Sequence, residues 1–308
     1  MKVLPVSLRI YPEYGCGTVY SWKYGVDSRM TYFKRQLLSL RWKIKAFLIK
    51  LKIFYPKEYE HKPQWVKVLD GPLTGHQLFL DVNSTHYWQD MILGNYDKFI
   101  YDWINNHGGI KGKVIWDVGA HFGYHAMSFA VLAGKKGKVI AIEPNNYNIQ
   151  RLKIHLNQNP DLKNRMQIIE TALSNKNGTT DFVYIDKVDD GRSMGSHLGN
   201  ILAPEGLTVY EAFTHKQIKT CKADTLMNEK KIPIPYMIKI DVEGAEQLVL
   251  EGGTKLLLKY KPILILEIHN ISQMFYVQKL LFKLGYKINI LDNENNSLSR
   301  CFVVARDK

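Results

Sequence analysis

Residues 113–143 constrain the fold of this chain more than any other stretch. An apolar run, Val114-Ile-Trp-Asp117, leads into Val118-Gly119-Ala-His121-Phe-Gly123-Tyr124, then into an alanine-rich segment of helical character. The stretch closes on a second apolar run that ends in an acid, Val139-Ile-Ala-Ile-Glu143-Pro144. Short continuous apolar runs bounded by turn residues read as strands buried on both faces, and two of them joined by a helix make a βαβ unit. Met237-Ile-Lys-Ile-Asp241-Val-Glu243-Gly244-Ala-Glu246 repeats the pattern, with a buried strand delivering carboxylates to its carboxyl end.

Further strands are expected at residues 113–118, 138–143, 166–171, 236–241, 263–268 and 286–291, with helices between most of them. Residues 301–305 follow a polar loop closely enough to return as an antiparallel hairpin partner, and 181–185 form a short extra strand. Apolar strands alternating with helices predict an α/β, Rossmann-like fold, a doubly wound and mostly parallel sheet with a C-terminal antiparallel strand. Upstream, residues 65–82 alternate around Gly71-Pro-Leu-Thr-Gly75 and predict a β-hairpin. One helix is expected over 90–106, and 191–206, with four glycines, reads as a mobile loop over the site. The domain division is 1–90, an N-terminal extension, and 91–308, the nucleoside-binding domain.

Charge is unevenly spread. The net charge is +13, and Lys34, Arg35, Arg41, Lys43, Lys45, Lys50, Lys52 and Lys57 lie together in a segment without acids. Apolar residues recur there at helical spacing, from Leu37 through Leu40, Ile44, Phe47 and Leu51 to Phe54. A basic amphipathic helix either packs its stripe on its own protein or lies on an anionic membrane, so 32–57 are a candidate peripheral membrane contact. No run of about 18 uncharged apolar residues is present, and the first residues lack a signal-peptide pattern, so the expected location is the cytoplasm. Cys16, Cys221 and Cys301 are widely spaced and suggest neither a disulfide framework nor a thiolate metal site.

The turn after the first strand indicates the ligand. Dinucleotide-binding turns place glycines where a pyrophosphate meets the helix N-terminus. Here the first position is Asp117, followed by Gly119 and Gly123, with His121 inside the turn. An acid repels a pyrophosphate and suits a nucleoside with a cationic end and no phosphate, which describes S-adenosylmethionine. Glu143, ending the next strand, is placed to accept hydrogen bonds from both ribose hydroxyls.

Asp117-Val-Gly-Ala-His-Phe-Gly-Tyr124, Ile142-Glu-Pro-Asn145, Ala172-Leu-Ser174, Ile238-Lys-Ile-Asp-Val-Glu-Gly-Ala-Glu246, Leu250-Glu-Gly252 and Pro262-Ile-Leu-Ile-Leu-Glu-Ile-His269 together resemble the FkbM-type methyltransferase family. Gly94-Asn-Tyr96-Asp97 is similar to the family's Gly-x-Tyr-Glu segment, with Asp in place of Glu. His121-Phe122 departs from the family's usual Asn-Ile. The resemblance implies a class I methyltransferase fold and S-adenosylmethionine-dependent O-methyl transfer to a sugar, glycolipid or related natural product. It places Asp117, Gly119, His121, Gly123 and Glu143 on the cofactor, Glu170 and Thr171 by the adenine, and Asp241 near the methionine end.

Methyl transfer requires an aligned hydroxyl and a group that takes its proton. In open α/β sheets this happens at the carboxyl ends of strands, where Asp241, Glu267 and His269 arrive together, His269 with the ordinary pKa of a general base and Glu267 placed to orient the acceptor. Glu243 and Glu246 read first as capping or solvating the following helix. Two carboxylates with a histidine also have the makings of a divalent-cation site, though the sequence does not favour one and assigns no metal ligand. Nucleic acid is not an expected partner, because the fourth strand ends in Ile-Asp-Val-Glu rather than an Asn/Asp-Pro-Pro-Tyr/Phe motif, and no aromatic-stacking RNA module is visible. The competing readings are a nucleic-acid methyltransferase and a catalytically inactive S-adenosylmethionine-binding protein.

Overall fold

The computed structural model describes residues 62–184, 197–198, 214–229, 232–291 and 301–307. The basic segment 32–57, Cys16 and most of the 191–206 loop lie outside the described residues. In chain order the elements are β1 (Gln64–Lys67), β2 (Gln77–Leu80), α1 (His86–Ile92), α2 (Lys98–Asn106), β3 (Val114–Val118), α3 (Tyr124–Ala133), β4 (Lys138–Ile142) and α4 (Asn146–Gln158). The short α5 (Pro160–Lys163) follows, then β5 (Met166–Ile169), β6 (Ala172–Leu173), β7 (Gly178–Tyr184), β8 (His197–Leu198) and β9 (Thr214–Cys221). The remaining elements are α6 (Ala223–Glu229), β10 (Met237–Ile240), α7 (Glu246–Gly252), α8 (Thr254–Tyr260), β11 (Ile263–Ile268), α9 (Ile271–Lys283), β12 (Tyr286–Ile290) and β13 (Cys301–Asp307).

Seven strands form the main sheet in the order β12-β13-β11-β10-β3-β4-β5. β3, β4, β5, β10 and β11 pair in parallel, and β13 runs antiparallel between β11 and β12. This is the Rossmann-like, class I methyltransferase arrangement. Alternate residues of each strand feed two separate hydrophobic layers. Ile115, Val139, Ala141, Met237 and Ile265 pack with α2 and α3 on one face, and Trp116, Ile140, Ile142, Ile238, Ile240, Leu264 and Leu266 pack with α6 to α9 on the other. Burial on both faces explains why these strands read as unbroken apolar runs.

The β1–β2 hairpin forms as expected, with Gln64 opposite Leu80. Val68, Leu73, Leu78 and Leu80 from it enter the same hydrophobic layer as α3. Buried His155 on α4 ties the hairpin down, since its Nε2 accepts from the Phe79 N–H at 3.0 Å while Nδ1 lies 3.0 Å from the Phe122 carbonyl. These two partners hold the ring neutral, and burial lowers its pKa to about 4.

Two expectations need correction. The single helix over 90–106 is two helices, α1 and α2, broken at Gly94 and Asp97, both with positive φ. A side chain at Gly94 would place its Cβ 2.5 Å from the carbonyl carbon of Asp70, so the break is where the hairpin passes against the helix end. Residues 178–184 belong to a separate four-stranded sheet, β6-β9-β7-β8, whose longest member, Thr214–Cys221, was not expected as a strand. Its polar sequence, Thr-His-Lys-Gln-Ile-Lys-Thr-Cys, lacks the apolar run that marks the main-sheet strands. Among the described residues no helix is long and apolar enough to cross a membrane.

Candidate active site

β3 and β10 are neighbours, yet β3 leads on to β4 and β5 on one side and β10 leads on to β11 on the other. A crevice opens beyond the strand ends at such a switch point. Register decides what lines it. Lys239 stands opposite Asp117, and the pairing of Ile240 with Leu266 brings the next residues outward, Asp241 and Glu267, side by side. Side chains alternate along a strand, so Asp117, Lys239, Asp241, Glu267 and His269 all share the face of Ile115, Met237 and Ile265.

The turn after β3 is pinned to β4, because the Gly119 and Ala120 N–H groups both donate to the Ile142 carbonyl, at 2.9 and 3.1 Å. Gly119 has φ +83°, and a Cβ there would lie 1.8 Å from the Asp241 carbonyl oxygen. Only glycine lets β3 and β10 close the crevice floor so tightly. His121 adopts φ +50°, and its N–H donates to Glu143 Oε2 at 2.8 Å. Burial first, then the nearby Arg151 guanidinium, lowers the His121 pKa to about 3, so the ring is neutral.

Asp117 is wholly buried, and neither of its carboxylate oxygens makes a hydrogen bond among the described residues. Burial pushes its pKa up, while Lys239, then His125 and the Ala126 N–H in the first turn of α3, pull the other way. The acid thus occupies the positive end of the helix, where a pyrophosphate would otherwise sit.

Glu143 is also buried. Its Oε1 accepts from the Asn145 N–H at 2.9 Å and from Asn148 Nδ2 at 3.3 Å. Oε2 accepts only from His121 among these, which leaves a lone pair for a ligand hydroxyl. Burial outweighs the donors and pushes the Glu143 pKa up to about 7. The folded chain therefore holds this proton more tightly than the unfolded one does. Stability is full below about pH 4.5 and falls by about 3 kcal/mol as pH rises to 7. Glu143→Gln is expected to flatten that part of a Tm-against-pH curve. A profile with the wild-type slope would contradict this assignment.

At the other wall, Lys239 Nζ is 2.9 Å from Asp241 Oδ2 and 3.9 Å from Asp117 Oδ1. Burial acts to lower the lysine pKa, but Asp241, Asp117 and Glu267 outweigh it and hold the ammonium charged. His269 Nδ1 lies 2.7 Å from Glu246 Oε1. Its Nε2 lies 3.3 Å from Glu243, 3.4 Å from Glu267 and 3.6 Å from Asp241. Burial disfavours a charged imidazole, yet Glu243, Glu267 and Glu246 together raise its pKa well above the usual range.

The three residues expected to do chemistry, Asp241, Glu267 and His269, are thus together. Glu243 and Glu246 join them, which the sequence did not assign. Glu243 is held in a left-handed conformation, φ +52°, that turns its carboxylate to His269. Glu246 does not cap the helix but accepts from the Gly244 N–H at 2.9 Å in the turn before it, and the same oxygen meets His269. Lys239 was legible only as part of a strand. Glu170 and Thr171 are elsewhere engaged: the half-exposed Glu170 carboxylate pairs with Lys153 at 2.7 Å, and the Thr171 hydroxyl donates to the Lys219 carbonyl at 3.1 Å. A buried relay runs behind Asp117, with Tyr101 Oη 2.7 Å from His125 Nδ1 and Asp97 Oδ2 3.1 Å from His125 Nε2.

The chain is 29% identical over 198 residues to the hexuronic acid methyltransferase AglP of Haloferax volcanii, a match covering 64% of this chain and 71% of that protein. Among solved structures it is similar to the methyltransferase FkbM of Methylobacillus flagellatus, with 17% identity and a TM-score of 0.45 over 62% of this chain. The match spans 43% of that protein's length. A SAM-dependent O-methyltransferase of Thermotoga maritima matches with 11% identity and a TM-score of 0.42, over 69% of this chain and 65% of that one. The methyltransferase FkbM domain matches residues 117–288, from Asp117 through the whole carboxylate cluster and more than half the chain, and this chain therefore belongs to the FkbM methyltransferase family.

Proposed function

We propose that this methyltransferase moves the methyl group of S-adenosylmethionine to a hydroxyl of a sugar, glycolipid or related natural product. The observation that carries the cofactor is Asp117, a buried carboxylate at the switch point of the sheet that has no hydrogen bond among the described residues. It suits an ammonium or sulfonium and opposes a phosphate. S-adenosylmethionine supplies, when bound, an electrophilic methyl on a positively charged sulfur. Asp117 would face its cationic end, and Glu143 Oε2 would accept from a ribose hydroxyl. Gly119, His121 and Gly123 form the turn between them.

The strand-end cluster supports a hydroxyl acceptor. Asp241, Glu243, Glu246 and Glu267 outnumber Lys239 and His269 beside them and leave carboxylate oxygens over to receive a proton. A hydroxyl must lose its proton as it is methylated, and these carboxylates are where that proton can go. Glu243 and Asp241, with side chains 19% and 24% exposed, stand on the open side of the cluster. Glu267 and His269 hold them from behind. A sugar acceptor has the support of the Haloferax volcanii relative, which is named for a hexuronic acid.

The test is to incubate the chain with S-adenosylmethionine and a panel of neutral sugars, uronic acids and glycolipids, then treat each product with mild alkali. An ether on a hydroxyl survives and is the expected product. A product that alkali cleaves is an ester on a carboxylate and overturns the hydroxyl assignment.

A further inference from the structure

We propose that Asp241, Glu267 and His269 form a binding site for a divalent transition-metal cation. The inference concerns the same end of the sheet as the methyl-transfer reading and rests on it for location alone. One ligand atom from each of the three residues lies within 4.8 Å of the others.

His269 is the informative member. Its side chain is 92% buried, Nδ1 is engaged by Glu246, and Nε2 makes no hydrogen bond among the described residues. The Nε2 edge of the ring faces carboxylate oxygens of Glu243, Glu267 and Asp241, which gather around a position that calls for positive charge. A proton on Nε2 supplies that charge in the free protein, and a metal ion that displaces the proton supplies it when bound. The Glu246–His269 contact is also the arrangement that fixes the tautomer and orientation of metal-ligating histidines.

The distances agree. Nε2 is 3.4 Å from Glu267 Oε1 and 3.6 Å from Asp241 Oδ1, with Glu243 Oε2 at 3.3 Å as a further neighbour. These separations are long for hydrogen bonds. A cation held at about 2.1 Å by each of two ligands leaves them about 3.0 Å apart at an octahedral right angle and about 3.4 Å apart at a tetrahedral angle. The observed separations approximate the edges of such a polyhedron. Charge balance points the same way, since four carboxylates surround the imidazole and Lys239 supplies the ammonium beside them. One nitrogen ligand among the oxygens favours Mn²⁺, Fe²⁺ or Zn²⁺ over Mg²⁺ or Ca²⁺.

The full chain, stripped with EDTA and dialysed, should be titrated with Mn²⁺ in the absence of S-adenosylmethionine, following the free aqueous Mn²⁺ signal by electron paramagnetic resonance. The expected result is one Mn²⁺ per chain that excess Mg²⁺ does not displace. Glu267→Gln and Glu246→Gln should each weaken binding by roughly tenfold or more. Asp102→Asn, on the exposed face of α2, should not. Pulsed measurement on the bound Mn²⁺ in the unaltered chain should show nitrogen modulation from one imidazole, and it needs no variant to fold. Absent binding, binding indifferent to both cluster variants, or a bound ion without nitrogen coupling would each overturn the proposal. A chain that takes Mn²⁺ but no S-adenosylmethionine keeps this site and loses the methyl-transfer reading; the opposite result does the reverse.

Discussion

Gly119→Ala is expected to lower the melting temperature by about 10 °C and to abolish methyl transfer. The new Cβ would lie 1.8 Å from the Asp241 carbonyl oxygen, and this backbone atom belongs to the end of a central strand. The carbonyl cannot turn aside without moving β10, which pairs with β3 on one edge and β11 on the other. Positive φ adds about 1–2 kcal/mol for any residue with a Cβ, and forced displacement in a packed interior typically adds about 1–3 kcal/mol. Their sum, about 4 kcal/mol, corresponds to that temperature shift in a chain of this size. The loss of activity has a separate cause. Opening β3 from β10 moves Asp117 away from Asp241, and the site depends on both. Thermal unfolding followed by circular dichroism reads the first effect, and an unchanged melting temperature would show that the two strand ends are not in contact.

Lys239→Met is the second large effect. Methionine fills a similar volume, so the change isolates the charge. Among the described residues it leaves Asp117 buried with neither a hydrogen bond nor its ion-pair partner, and it takes the ammonium from Asp241. Breaking a buried pair by removing one member costs about 3–5 kcal/mol. The same reasoning predicts compensation. Asp117→Asn removes the orphaned charge, so the double variant should recover part of the stability lost in Lys239→Met, a coupling that a double-mutant cycle measures. Urea unfolding of the four proteins gives the answer, and strictly additive losses would mean that Lys239 and Asp117 do not interact.

Much of this molecule was legible in its sequence, for a specific reason. Strands buried on both faces must be apolar throughout, so β3, β4, β5, β10 and β11 announced themselves, and the acids of the site stood within a residue of the ends of β3, β4, β10 and β11. Asp117, Glu143, Asp241 and Glu267 could be picked out because a carboxylate at the end of an apolar run has no structural excuse. What escaped depends on contacts between distant segments. The β9 strand, Thr214–Cys221, shows no apolar run, and its pairing with β7 becomes visible only in three dimensions. The helix break at Gly94 and Asp97 is imposed by Asp70, which lies on the hairpin. Glu243 and Glu246 looked like helix-start residues because that is where they fall in sequence. Their second role appears only because β11 carries His269 up beside them. Of the Tyr101–His125–Asp97 relay, assembled from α2, α3 and the residue before α2, the sequence singled out Asp97 alone, and nothing local joined it to the other two.

The central claim is that the crevice at the β3–β10 switch point takes S-adenosylmethionine. The direct measurement is calorimetric titration of the purified chain with S-adenosylmethionine and, separately, with NAD⁺, with Glu143→Ala as the control. The account predicts binding of S-adenosylmethionine alone, lost in the variant because the ribose acceptor and the anchor of the His121 turn are removed together. Preference for NAD⁺, or no binding of either ligand, would mean that the buried acid at the head of α3 does not select a cationic nucleoside.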